Sequence, residues 1–85
     1  MDVIFSANLI KTEAEIVLKG LKLKYTADVE KTKNGASIII AFTDKNKCNL
    51  AFEKLRIRYN HNTIFGTFKI DTVKKADYIV RINLY

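Results

Sequence analysis

A chain of 85 residues, 48% of them hydrophobic, has material for one domain with one core and no more. No apolar run approaches a membrane span. One cysteine, Cys48, excludes an intrachain disulfide, and with the single His61 it cannot assemble a four-ligand zinc site. The net charge of +6 favours anionic partners, nucleic acid among them, although lysine-rich surfaces also arise for solubility alone.

In chain order, residues 2–7, DVIFSA, read as a short first strand. Plain alternation sends Val3, Phe5 and Ala7 inward as an unbroken apolar set, whereas the opposite register would bury the Ser6 hydroxyl, so Phe5 is expected in the core. Thr12 with Glu15 has the spacing of a capping box, and Ile16, Val17 and Leu18 supply an apolar face. Gly20 sits where a left-handed stop is wanted, which predicts a short helix over about 12–19. LKLKYTADVE alternates, with Leu21, Leu23, Tyr25, Ala27 and Val29 on one side, and predicts a second strand with one wet face. Asn34-Gly35 is a hairpin signal, because both residues tolerate positive φ. SIIIAF then reads as a central strand.

Thr43 or Asp44 can cap a second helix, whose buried stripe is Cys48, Ala51, Leu55, Phe52 and Tyr59, with Asn60 as its stop. NTIFGTFKID predicts a strand with Ile64, Phe68 and Ile70 inward. TVKKA reads as a loose hairpin loop. DYIVRINLY is a last strand with Tyr78, Val80, Ile82 and Leu84 on one face, able to pair edge to edge with another chain. The expected order is β-α-β-β-α-β with an extra C-terminal strand. That is an α+β, ferredoxin-like single domain over 1–85, with two helices on one face of an antiparallel sheet and the other face open.

No catalytic constellation emerges. His61 stands alone in a polar turn, Cys48 lies on an apolar stripe without a neighbouring base, and the three glycines are isolated. An enzyme is not expected, nor is a cofactor or a metal. A cytoplasmic, reducing location is expected, from the single cysteine and from the absence of a basic-then-apolar pattern in the first residues.

Two resemblances sharpen the reading. IFSANL, residues 4–9, resembles the first-strand motif of the RNA recognition motif family, with Ile4, Phe5, Asn8 and Leu9 matching and Ser6 departing. TEAEI resembles the opening of that family's first helix, FTDKNKCNLAFEKL its second helix, and IFGTFKI its fourth strand. The resemblance implies single-stranded RNA binding on the open sheet face and would put Phe5 on that face rather than in the core. The family's two other stacking aromatics would fall at Ser37 and Ile39, neither of which is aromatic. EAEIVLKGLK and NGASIIIAFTDKNKCNLAFEKL also resemble the small dimerising subunit of the KEOPS tRNA-modification complex. That resemblance implies a subunit role, although here the residues after Asn60 read as further strand.

Two functions are therefore expected. The first is a protein-interaction module, dimeric or an accessory subunit of an RNA-processing or tRNA-modification complex, using Ile39, Ala41, Phe65 and Arg81. Ile39, Ala41 and Phe65 form an apolar patch that wants a cover. The alternative is direct RNA contact by Lys22, Lys24, Phe65 and Lys69 on the open face, with Lys45 and Lys47. Those last two sit at a helix N-terminus, where the dipole disfavours cations, so an external anionic partner would explain them.

Overall fold

The computed structural model describes residues 2–59, 64–65 and 68–85, without the side chains of residues 64, 65, 71 and 72. Its elements are α1 (Val3–Gly20), β1 (Thr26–Lys31), β2 (Ala36–Ala41), α2 (Lys45–Arg58), β3 (Ile64–Phe65), β4 (Phe68–Ala76) and β5 (Ile79–Leu84). The strands form one antiparallel sheet in the order β1-β2-β5-β4-β3. The fold is α+β with two helices, as expected, but the element order is αββαβββ, in place of βαββαβ with an added strand.

The difference lies at the start of the chain. The expected first strand is helical, and the expected short helix is the second half of the same 18-residue element. Asp2 is its N-cap, with a carboxylate that accepts from the Ile4 amide at 3.1 Å. Ala7, Ile10, Ala14 and Leu18 recur every three to four residues and are fully buried, so helical periodicity from Val3 onward outweighs the short alternation of Val3, Phe5 and Ala7. Fully burying a side chain such as Ile10 or Leu18 contributes roughly 1.5–3 kcal/mol. Thr12 is consequently mid-helix and caps nothing. Its hydroxyl donates back to the Asn8 carbonyl at 3.0 Å, and the Glu15 carboxylate accepts from the Tyr25 hydroxyl at 2.8 Å.

The helix ends in a Schellman arrangement. The Lys22 amide donates to the Lys19 carbonyl at 3.0 Å, and the Leu23 amide donates to the Leu18 carbonyl at 3.1 Å. The left-handed residue is Lys22 (φ 57°), not Gly20. Residues 21–25 are therefore a connection rather than strand, although their exposure still alternates as predicted.

Asp44 caps α2 by accepting from the Asn46 and Lys47 amides at 2.8 and 3.2 Å. Cys48, Ala51, Leu55 and Tyr59 are buried, and Phe52 packs against the core, as the stripe predicted. The predicted stop at Asn60 lies outside the described residues.

Both helices cover the same face of the sheet. Ile38 and Ile40 of β2, Val80, Ile82 and Leu84 of β5, and Ile70 and Val73 of β4 form one buried cluster with the helix residues. β4 runs through TVKKA, which is strand rather than loop; Val73 is buried in it. The chain turns instead at Asp77, whose φ of 53° suits a short polar side chain. Tyr78 is thus an exposed turn residue, while Val80, Ile82 and Leu84 point inward as expected. Two residues of β4, 71 and 72, occupy the step between the Ile70–Leu84 and Val73–Ile82 pairs, and this bulge bends the strand.

Gly35 is required for lack of space. Neither it nor Asn34 takes a left-handed φ; instead a Cβ at residue 35 would run into the Leu84 carbonyl oxygen and lie 2.8 Å from Tyr85 Cα.

Candidate interaction surfaces

The expected nucleic-acid residues do not converge on one surface. Lys22 and Lys24 belong to the α1–β1 connection, not to a strand on the open face. Lys69 lies on β4, its backbone paired with Tyr85. Three strand spacings of about 4.8 Å separate β1 from β4 across β2 and β5. Lys45 and Lys47 open α2, in the helix layer behind the sheet. Phe65 is in β3, its backbone opposite Phe68, and its side chain is among those not described.

Part of the open sheet face is satisfied internally, while Ile79 and, on β4, Lys74 and Ala76 are exposed on it. It carries Thr26, Asp28 and Glu30 of β1, Ser37, Ile39 and Ala41 of β2, and Ile79, Arg81 and Asn83 of β5. Ser37 donates to Asn83 Oδ1 at 2.7 Å, and Arg81 reaches across β2 to Glu30 at 3.8 Å. Ile39 and Ala41 are half-buried in this mesh. Arg81 belongs to a central strand, since β5 sits between β2 and β4, so the expected edge pairing through residues 77–85 has no free edge to use. The six-residue edge strand is β1, where Asp28, Glu30 and Lys31 guard against strand addition.

Three exposed apolar groups line up in a row on α1. Phe5 is 55% exposed, Leu9 40% and Ile16 67%. Phe5 is therefore not a core residue in either strand register; it points to solvent from a helix. With Thr12 these residues recur at 4-3-4 spacing, the spacing of the a and d positions of a heptad. They lie opposite the buried row of Ala7, Ile10, Ala14 and Leu18. Sequence reading missed this surface because it assigned Phe5 and Leu9 to a strand and its border, although the 5-9-12-16 spacing was there to be read.

A charged and hydrogen-bonded strut flanks the seam. Glu13 Oε1 accepts from Tyr59 Oη at 2.7 Å and from Arg58 Nε at 2.8 Å. The Tyr59 hydrogen bond holds the Glu13 carboxyl below its ordinary value, against an opposing effect of burial and with help from Arg58. Glu15 is lowered chiefly by the Tyr25 hydrogen bond, and Lys11 pairs with it at 3.3 Å. Both acids beside the seam thus have hydrogen-bond and cation partners within the chain.

Cys48 is buried, and burial pushes its thiol up against a weaker pull from Lys75. That is the behaviour of a small apolar group rather than of an activated nucleophile. Among the described residues, no group of three or more His, Cys, Asp or Glu is arranged to hold a metal ion, and no helix is long and apolar enough to cross a membrane. Comparison of the chain with protein-family models, with curated proteins and with solved structures finds no match.

Proposed function

We propose that this chain is a small protein-interaction module, working as a dimer or as an accessory subunit, that docks through the outer face of α1. The observation that carries the reading is the row of Phe5, Leu9 and Ile16, exposed along a helix whose other side is fully packed. Leaving three large apolar side chains in water on one ridge forfeits roughly 1.5–3 kcal/mol for each that a partner could fully bury.

A photoactivatable cross-linker at position 16, in cells that make the protein, tests the reading. Discrete cross-linked species are expected from position 16 and not from the exposed turn position 34. Cross-linking that is absent from position 16, or identical from both positions, would overturn it.

Contact with single-stranded nucleic acid is a second reading, favoured by one observation. Lys45 and Lys47 sit at the positive end of α2, and neither forms an ion pair among the described residues. On that reading, replacing both by Glu lowers the slope of log K against log salt by about 0.7 for each phosphate that is no longer neutralised. An unchanged slope would remove it.

A further inference from the structure

We infer that the occupant of the α1 seam is a second copy of this chain, with the two α1 helices packed antiparallel about a two-fold axis between Ile10 and Lys11. The inference rests on the proposed docking role of α1 and names its partner.

The seam is complementary to its own reverse. In that arrangement Phe5 faces Ile16 of the second copy at each end, and Leu9 faces Thr12 of the second copy near the middle. Every large seam residue meets a seam residue and none meets a charge. The Thr12 hydroxyl is already satisfied by the Asn8 carbonyl at 3.0 Å, which frees its methyl group to pack against leucine.

The next position beyond each end of the seam carries charge, and the signs match. Asp2 precedes Phe5 by three residues, and Lys19 follows Ile16 by three; both are exposed. Antiparallel packing brings Asp2 toward Lys19 of the second copy, twice by symmetry. Parallel packing would instead set Asp2 beside Asp2 and Lys19 beside Lys19. The flanking acids do not oppose the antiparallel pair. Glu15, on the flank that meets Asn8 of the second copy, is already paired with Lys11, while Glu13, on the other flank, is paired with Arg58.

Among the described residues, neither the exposed side of α2 nor the open sheet face offers such a row. On α2, Leu50 and Ile57 are exposed, but Glu53 and Lys54 interrupt the row. On the sheet, the exposed Ile79 stands next to the charged Arg81, and Ile39 is half-buried in the mesh spanned by the Arg81–Glu30 pair. An interface of one helix per copy belongs to the small class, about 1,000 Å² in total, so the dimer should dissociate on dilution.

Disulfide trapping reads both the partner and its orientation. Phe5→Cys and Ile16→Cys proteins are prepared separately, each checked for an unchanged melting temperature, and oxidised alone and as a mixture. In the antiparallel pair, positions 5 and 16 of the two copies are adjacent. Like positions are about 16 Å apart, since they are offset by eleven residues at 1.5 Å each. The mixed disulfide should therefore form at least tenfold faster than either homodimeric one. The heterodimer also keeps one native Phe5–Ile16 contact. Fast trapping of either variant alone, without the mixed product, would show a parallel pair and overturn the inference. No trapping in any sample would exclude the second copy as occupant, while cross-linking from position 16 in cells would still decide the docking role separately.

Discussion

The Tyr59 hydroxyl donates to Glu13 Oε1 at 2.7 Å, and this bond joins the C-terminal end of α2 to the middle of α1. It ties the two helices together beside the packing of Ala7, Ile10, Ala14 and Leu18, which seats α1 on the sheet with Phe5, Leu9 and Ile16 facing out. Because the folded Glu13 carboxyl is held below its ordinary value of 4.5, the contribution of this bond is fully present above that pH. It is lost as pH falls through the lowered value. Melting temperature should therefore drop on acidification below about pH 4.5, and the drop should be smaller in Glu13→Gln. Tyr59→Phe should cost about 1 kcal/mol at neutral pH, because a partly exposed charged acceptor loses its donor. The same residue gives an alkaline counterpart. Burial, reinforced by Glu13, pushes Tyr59 up to about 12. A raised folded value means that stability is intact below the ordinary tyrosine value of 10.0 and declines from there toward 12, which melting between those pH values can follow.

Gly35→Ala should be among the most damaging small substitutions in the chain. The added methyl group would collide with the Leu84 carbonyl, which belongs to backbone and cannot swing away. The start of β2 and the end of β5 would have to separate. A loss of about 3 kcal/mol or more in chemical denaturation is expected. A loss under about 0.5 kcal/mol, the range of a neutral surface change, would show that the close approach is relaxed in solution.

Lys22→Gly should stabilise the protein. Lys22 occupies the left-handed position of the α1 stop at φ 57°, where a side chain is strained and glycine is not. A gain of about 1 kcal/mol is expected from urea denaturation. A loss would mean that the lysine side chain makes a compensating contact.

Ser6→Ala should also stabilise. The Ser6 hydroxyl is fully buried on α1 and its Oγ has no hydrogen-bond partner. Removing a desolvated, unpaired polar atom and placing alanine in a helix interior both act in the same direction, for a gain of about 1 kcal/mol. The thermal midpoint of the variant is the direct check.

The stretch from β2 through α2 is legible in the sequence because its apolar patterns agree with its flanking signals. Asp44 before a 48-51-55 stripe specifies α2, and the apolar run at residues 37–42 specifies a central strand. The α+β class and the shared helix face follow from those elements. The start is not legible in the same way. VIFSANL satisfies period 2 over three residues and period 3.6 over the whole of α1, and only the longer window decides. Choosing the short window produces a strand, a misplaced cap at Thr12 and a ferredoxin-like order. It also hides the seam, because Phe5 and Leu9 share a face with Ile16 only on a helix. Gly35 stands out in the sequence for its conformational freedom, while the fold needs it for clearance from β5, a contact between residues far apart in the chain.

The mass of the protein in solution is the most direct measure of whether the outer face of α1 is an interface between two copies. Sedimentation equilibrium should give a weight-average mass that rises with concentration from the 9.8 kDa of one chain toward twice that value. The Phe5→Glu, Ile16→Glu double variant should stay at 9.8 kDa at every concentration and keep its melting temperature measured at high dilution. A wild-type protein that remains at 9.8 kDa at millimolar concentration, or a double variant that still doubles its mass, would contradict the assignment.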